Sequence, residues 1–133
     1  MRLFASCFIA LLLFACGSKP DSETLTSEQQ AMEACRNYYE ALYDGHYEKF
    51  LNGRVNADEM PERFRQAMTN NLKQHVAKTR QEHRGVERID EKSAKRDTSL
   101  HVMMVYLLVN YGDTTKEEIV VPMVESDGDW KMK

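Results

Sequence analysis

The sequence predicts an α+β fold, with N-terminal helices packed on an antiparallel sheet of about four strands. In residues 27–83, apolar residues recur at intervals of three and four, which is typical of amphipathic helices. From residue 86 onward, this period gives way to β-rich runs separated by turn sequences. Helices that precede such a meander can cover one face of the sheet, and 133 residues leave room for one domain.

The first helix is predicted to begin at Thr26 or Ser27. Each of these hydroxyl residues is followed three positions later by a glutamine, which is the spacing of a capping box. The helix should end at Asp44-Gly45, because glycine readily adopts the left-handed conformation that closes a helix. The apolar stripe of this helix consists of Ala31, Ala34, Cys35, Tyr38 and Leu42.

Two further helical segments are predicted before the sheet. A short turn covers residues 46–51, and a longer helix opens near Asp58 with Pro61 in its first turn, where a missing amide costs nothing. The longer helix should end before Gly85. Its stripe includes His75, which could be a ligand or a base but is interpreted as half-buried and bonded to a carbonyl group. The stripe consists of Phe64, Ala67, Met68, Leu72, His75 and Val76.

Four strands are predicted in the second half of the chain. The Asp127-Gly128 pair between two extended runs predicts a two-residue type I′ hairpin, which needs a positive φ at both positions. Pro122 has no amide hydrogen to donate, so a bulge or a non-bonding position is expected there. The predicted strands span residues 86–95, 100–111, 116–125 and 130–132.

The strand predicted over residues 100–111 is apolar on both faces. An antiparallel sheet usually leaves one face exposed to water, and the helices can cover only one face of this strand. The second face therefore needs a strongly bent sheet, a ligand or a second copy of the domain. Alternation alone does not decide which residue set faces the helices, because both sets are apolar.

The first sixteen residues resemble the leader of a bacterial lipoprotein. Arg2 is followed by an apolar run over residues 3–14, which is shorter than the roughly 20 residues of a membrane-spanning helix. Residues 13–16 (Leu-Phe-Ala-Cys) resemble the lipobox that bacterial signal peptidase II recognises. The resemblance implies cleavage before Cys16 and lipid attachment to its thiol. Otherwise Cys16 is an ordinary small residue at a secretory cleavage site.

This interpretation divides the chain into three parts. Residues 1–15 are the signal peptide, residues 16–25 are the lipidated cysteine and a flexible polar tether, and residues 26–133 are a single α+β domain. The protein is then expected in the bacterial cell envelope, on its periplasmic or surface face, held at the membrane by the lipid on Cys16. Only Cys35 remains as a thiol in the domain, so the domain must be held by its core rather than by a disulfide.

Charge is unevenly distributed along the chain. Residues 63–96 carry 10 basic and 4 acidic side chains, although the formal net charge of the whole chain is −3. Such a stretch could bind anionic glycans or phosphates, but it more often forms solvated helix faces and strand edges. An exported acidic protein is not expected to bind nucleic acid.

No catalytic, cofactor-binding or metal-binding residue is predicted. The sequence contains no glycine-rich phosphate loop, nucleophile elbow or His-Glu-x-x-His motif. His75 and His83 lie eight residues apart on a helix, so they cannot chelate one metal ion unaided. Glu117 and Glu118 are adjacent and should diverge in a strand, so they are interpreted as solvated charges.

Aromatic residues are the remaining candidates for a ligand pocket. A phenol combines an apolar ring with a polar hydroxyl group, so it can line a pocket or the rim of a core. Trp130 should pack on the inner sheet face against the first helix. The candidate pocket or core-rim residues are Tyr38, Tyr39, Tyr106 and Trp130.

Two segments carry a family resemblance, residues 38–50 (YYEALYDGHYEKF) and residues 127–132 (DGDWKM). They resemble small bacterial lipoproteins with a lumazine-binding-like domain of unknown function, in the nuclear-transport-factor-two-like (NTF2-like) superfamily. The resemblance implies a curved, cone-shaped sheet around a long first helix, an apolar cavity and often a dimer through the convex face. Superfamily enzymes of the ketosteroid isomerase and scytalone dehydratase types place polar groups in the cone, but none of their catalytic motifs aligns with this chain.

Together these features predict a membrane-tethered envelope lipoprotein that acts as a non-enzymatic ligand-binding or protein-interaction module. Its expected partners are the membrane, a second copy of the domain and a small apolar ligand, without a cofactor. The alternative is a small-molecule enzyme of ketosteroid-isomerase-like type that acts in the apolar cone. An acid or a histidine in a closed cavity would favour the enzyme, and an interior filled by Met and Leu would favour the module.

We expect Cys16→Ser to abolish acylation and membrane attachment. A diacylglyceryl group and an N-acyl chain bury many methylenes, each contributing about 0.8 kcal/mol, which suffices for stable attachment. Triton X-114 extraction measures this, with the parent expected in the detergent phase and the variant in the aqueous phase. If both proteins partition alike, the lipobox interpretation is wrong.

Overall fold

The computed structural model describes residues 24–133, and in it the helices precede the strands. The predicted leader and Cys16 lie outside the described residues. The helices are α1 (Ser27–Tyr43), α2 (Tyr47–Asn52) and α3 (Glu62–His83), with a 3₁₀ turn at Ala57–Glu59. The strands are β1 (Val86–Asp97), β2 (Val102–Tyr111), β3 (Lys116–Ser126) and β4 (Asp129–Met132). This order confirms the predicted α+β fold. None of the described helices is both long and apolar enough to cross a membrane.

The predicted capping box forms at Thr26. Its Oγ1 accepts a hydrogen bond from the amide of Gln29 at 3.2 Å, and Oε1 of Gln29 accepts one from the amide of Thr26 at 2.9 Å. At the other end of α1, Gly45 has a φ of 86°, a backbone conformation that glycine adopts without strain. Both predicted ends of the first helix are therefore confirmed.

The start of α3 lies after the predicted position. Residues 57–59, which include Asp58, form a separate 3₁₀ turn, and Pro61 precedes the first helical residue, Glu62. A residue before proline is driven out of the helical region, and Met60 is extended with a ψ of 123°. The helix therefore cannot run continuously from Asp58 through Pro61.

The apolar stripe predicted for α3 is buried only in the second half of the helix. Val76 is 6% exposed, whereas Phe64 is 50% exposed. Ala67 and His75 are exposed as well, so the prediction of a half-buried His75 bonded to a carbonyl group is wrong. The first half of α3 rests on the short α2, to which Arg65 donates two hydrogen bonds of 2.9 Å. Polar contacts rather than a core therefore hold this half.

The four strands form one antiparallel sheet in the order β1-β2-β3-β4. Asp127 and Gly128 have φ values of 53° and 84°, which confirms the predicted hairpin with positive φ at both positions. Pro122 pairs with Met104 of β2, and its carbonyl group accepts from the amide of Lys133 at 2.9 Å. The backbone of Pro122 thus faces away from β2, so the missing amide falls at a non-bonding position of that ladder.

The two edge strands of the sheet, β1 and β4, differ in how their open edges are modified or covered. β1 contains two register shifts, and such bulges bend a strand and increase its twist. Beside β4, the amide of Met132 donates to the carbonyl of Gly53 at 2.7 Å, and the amide of Val55 donates to the carbonyl of Met132 at 2.7 Å. The segment after α2 therefore covers part of the β4 edge.

α1 packs on one face of the sheet, which we call the inner face. Val105, Leu107 and Val109 of β2 are fully buried there, together with Cys35 of α1. The alternate residues of β2 include Met104, Tyr106 and Leu108, which are only half-buried on the outer face. The structure thus decides which of the two apolar residue sets of β2 faces the helices.

We expect Trp130→Ala to lower the free energy of unfolding by about 3–5 kcal/mol. Trp130 is 8% exposed and belongs to the core cluster on the inner face, so truncation leaves a cavity. Urea unfolding followed by circular dichroism measures the loss. A loss below about 1 kcal/mol, the range of ordinary surface substitutions, would contradict this packing.

Candidate functional site

Side chains fill the space between α1 and the sheet. Met103, Leu107 and Met123 on the inner face are at most 1% exposed, and Leu51 from α2 is fully buried. Met and Leu therefore occupy the space between α1 and the inner face of the sheet. Sites open to a ligand must be sought at the borders of this interior.

The four aromatic residues selected from the sequence do not share one pocket. The hydroxyl group of Tyr38 donates to the carbonyl of Trp130 at 2.8 Å. Tyr39 packs edge-to-face on Phe50 with ring centroids 5.3 Å apart, and burial raises the pKa of Tyr39 to about 12. Tyr106 lies half-buried on the outer face. The structure brings Tyr38 and Trp130 together and separates Tyr106 from them.

A group of polar and aromatic side chains lies where α1 ends and β3 begins. Tyr111, at the end of β2, donates from its hydroxyl group to Oε2 of Glu117 at 2.5 Å. Tyr43, at the end of α1, has its hydroxyl oxygen 3.2 Å from Nε2 of His75 on α3. We call Tyr43, His75, Tyr111 and Glu117 the rim cluster, because Tyr43 packs directly against the filled core.

The rim cluster keeps its phenols neutral. Burial, followed by the hydrogen bond to Glu117, raises the pKa of Tyr111. Burial, followed by the charge of Glu117, also raises the pKa of Tyr43. A neutral phenol can donate a hydrogen bond, and a carboxylate accepts one. Because Glu117 and His75 are exposed, the cluster offers a carboxylate and an imidazole to solvent next to two phenols.

A second imidazole lies beside the rim cluster. The ring of His83 stacks on Tyr111 with centroids 4.4 Å apart, and its Nδ1 lies 2.9 Å from Oδ2 of Asp113. A carboxylate only accepts, so Nδ1 of His83 carries the proton of this hydrogen bond. Hydrogen bonds from Thr115 and then from His83 lower the pKa of Asp113 to about 2.

Backbone hydrogen bonds hold the His83–Asp113 pair in place. The amide of Gly112 donates to the carbonyl of Gly85 at 2.9 Å, and the amide of Asp113 donates to the carbonyl of His83 at 3.0 Å. A Cβ at Gly112 would lie 2.6 Å from the carbonyl oxygen of Arg84, so this close approach requires glycine. The end of α3 is thereby fastened to the turn between β2 and β3.

The chemistry available at this border is hydrogen bonding and proton transfer. Among residues 24–133, no three His, Cys, Asp or Glu side chains are placed to hold a metal ion. Cys35 is fully buried, and burial, followed by the charge of Glu91, raises the pKa of its thiol to about 12. A thiol in this state is not a nucleophile. The carboxylate and the two imidazoles are the groups that could bind or move a proton.

Sequence reasoning missed Glu117 and His75 as members of a cluster. The register of the β2–β3 hairpin was the signal that could have placed Glu117 beside Tyr111. The amide of Tyr111 bonds to the carbonyl of Thr115, and Val109 pairs with Glu117. Tyr111 and Glu117 are therefore diagonal neighbours on one face of the sheet. No comparable local signal places His75, whose contact with Tyr43 depends on how α3 lies against α1.

The outer face of the sheet carries a partly exposed apolar patch. Val120 of β3 is 45% exposed and pairs with Tyr106 of β2. Lys92 and Glu118 form an ion pair beside these side chains. The outer patch consists of Met104, Tyr106, Leu108, Val120, Pro122 and Val124. α1 packs on the inner face, so it leaves this patch open.

The described residues form a small α+β domain with an NTF2-like fold. The structure is similar to a crystal structure from Campylobacter jejuni of a protein described as an NTF2-like transpeptidase, with a TM-score of 0.58. The sequence identity is 14%, and the match covers 75% of this chain and 94% of that chain. At this identity the likeness shows the fold alone. No known family profile matches the sequence, and no curated protein matches it significantly.

We expect Asp113→Asn to change the acid stability of the domain. The pKa of Asp113 falls from 3.8 to about 2 on folding, so its charge stabilises the fold above about pH 4 and this contribution is lost between about pH 4 and pH 2. Urea unfolding at a series of pH values should show a shallower loss for Asp113→Asn in this interval. Parallel losses for the variant and the parent would contradict the hydrogen bonds that Asp113 accepts from Thr115 and His83.

Proposed function

We propose that this protein is a lipid-anchored lipoprotein of the bacterial envelope whose NTF2-like domain is a non-enzymatic interaction module. The contrast between the two sheet faces carries this proposal. Leu107 and Met123 fill the inner face and are 0% exposed, whereas Val120 on the outer face is 45% exposed. A domain with a filled interior and an open apolar sheet face is suited to binding across a surface rather than to enclosing a substrate.

The proposed anchor is the lipid on Cys16, supported by the apolar run over residues 3–14 and the lipobox-like residues 13–16. The segments 38–50 and 127–132 support the finer assignment to lipoproteins with a lumazine-binding-like domain. The experiment that tests the anchor is the partitioning of Cys16→Ser described above.

The partner that we propose for the outer patch is a second copy of this chain. Monomers rarely expose a contiguous apolar patch of this kind, and a two-fold dimer is the commonest closed assembly. Tyr106, Leu108 and Val120 would form the centre of the interface. Lys92 and Glu118 already pair with each other, so these two charges are neutralised within each copy.

The rim cluster supports a second candidate function, a small-molecule enzyme of ketosteroid-isomerase-like type. Glu117 would act as the base, and the phenol of Tyr111, after releasing its hydrogen bond to Glu117, would donate to a carbonyl oxygen. A small apolar ligand would also bind at the rim cluster, because side chains leave no room for it between α1 and the inner face. Glu117→Gln distinguishes the two functions, since it would remove the activity of such an enzyme and leave self-association unchanged.

Adjacent valines of β3 offer a matched test of the interaction module. Val120→Asp should give a folded monomer, because this side chain lies on the outer patch. Val121→Asp should destabilise the fold by about 3–5 kcal/mol, because Val121 is 6% exposed on the inner face and the new charge would be buried without a partner. Sedimentation velocity measures assembly, and urea unfolding measures stability. A monomeric parent, or a dimeric Val120→Asp variant, would contradict the proposed dimer.

A further inference from the structure

The start of α1 lies near the hairpin that joins β1 to β2. Nη1 of Arg36 lies 3.4 Å from Oε1 of Glu91, and Tyr43 at the end of α1 lines a cleft with Val86 at the start of β1. α1 therefore runs antiparallel to β1. From Arg36, nine residues back along a helix span about 14 Å, which corresponds to about four residues forward along a strand. Ser27 thus lies alongside the end of β1.

The hairpin beside this helix start carries two basic residues near its base and one exposed leucine at its tip. Leu100 is 57% exposed, more than any other large apolar side chain described, and Leu25 before α1 is 44% exposed. Lys95 and Arg96 are exposed, and neither forms an ion pair with a described residue. A hollow of about 310 Å³ opens beside them, lined by Lys95, Arg96, Asp97, Thr98, Met104 and Tyr106.

Asp97, the one carboxylate that lines this hollow, already accepts hydrogen bonds within the turn. Oδ1 of Asp97 accepts hydrogen bonds from the amide and the hydroxyl group of Ser99, at 3.0 and 2.7 Å, and from the amide of Leu100 at 3.1 Å. These bonds, that of the Ser99 hydroxyl first, lower the pKa of Asp97 and keep it charged for its role in the turn. The charge of Lys95 also lowers the pKa of Asp97, but neither Lys95 nor Arg96 forms an ion pair with a described residue, so both can bind an anion from outside the chain.

We propose that the β1–β2 tip, residues 95–101, docks on the membrane surface, with Lys95 and Arg96 on anionic phospholipid headgroups and Leu100 in the interface. This inference rests on the proposed anchor at Cys16. Leu25 lies nine positions after Cys16, a reach of at most about 30 Å, so the lipid would hold this end of the domain close to the bilayer. Two basic residues beside an exposed leucine match the charge and the apolar border of an anionic bilayer.

The tip adjoins the proposed dimer interface. Met104 and Tyr106 belong to both the hollow and the outer patch, so the dimer would cover that wall of the hollow. Arg96 pairs with Met103 on the opposite face and Leu100 lies in the turn, so both stay outside the interface. If the two-fold axis runs parallel to the strands, both copies present their tips and the starts of their α1 helices to the same side. An axis across the strands would place the two anchors at opposite ends, where one bilayer could not hold both. The docked tip therefore selects the first orientation.

The test uses the chain from residue 16 onward with Cys16→Ser, so that no lipid dominates binding. Co-sedimentation with vesicles of phosphatidylglycerol and phosphatidylcholine measures partitioning, with pure phosphatidylcholine as the uncharged reference. Lys95→Gln with Arg96→Gln should weaken binding to the anionic vesicles about 25-fold, because each basic residue near such a surface contributes about fivefold. Leu100→Ser should weaken it about tenfold, because a leucine side chain leaves the interface.

The matched control removes two exposed charges at the far end of α3, with Lys78→Gln and Arg80→Gln, and should leave partitioning within about twofold of the parent. Urea unfolding verifies that all variants keep the parent stability. Equal losses in the control and the tip variant, an unaffected Leu100→Ser variant, or no preference for anionic vesicles would each overturn the proposal. Because the lipid is absent from this experiment, its outcome is independent of the Cys16 extraction test.

Discussion

β2 is apolar on both faces, and the rest of the structure depends on how each face is covered. On the inner side, Val105, Leu107 and Val109 are fully buried in the core beneath the helices. Each such side chain contributes roughly 1.5–3 kcal/mol when fully buried, so this contact positions α1 on the sheet. The position of α1 then brings Tyr43, at the end of this helix, to the rim cluster.

The filled interior restricts polar chemistry to the borders of the domain. A carboxylate in a packed apolar core is costly without partners, so the inner face tolerates one only where the helices no longer cover it. Glu117 occupies such a position and accepts from the phenol of Tyr111. The His83–Asp113 pair lies next to it because two backbone hydrogen bonds fasten the end of α3 to the following turn. These groups therefore lie at the border of the filled core and do not line a closed cavity.

The fold is similar to that of a solved NTF2-like structure at 14% sequence identity. What such distant chains share is a pattern of burial and turns, which many different sequences can supply. A shared fold therefore does not specify a shared function. In this chain, the functional proposals rest on particular features instead: the outer patch around Val120, the rim cluster around Glu117 and the basic hairpin around Lys95.

The sequence by itself determined the order of the elements and most of their ends. The capping box at Thr26 and the Asp127-Gly128 hairpin depend on residues only a few positions apart, so they can be inferred without a structure. The start of α3 was predicted too early, although Pro61 carried the local signal. Local patterns were sufficient here because capping and turn formation are local interactions.

Only the tertiary structure decided which face of β2 meets α1, because both residue sets are apolar and alternation cannot rank them. It also placed Tyr106 on the face opposite Trp130, and it brought His75 to Tyr43 across two helices. Each of these outcomes depends on contacts between residues far apart in the chain. Such contacts follow from how whole elements pack, and the same hydrophobic pattern permits more than one packing until the helices and the sheet are assembled.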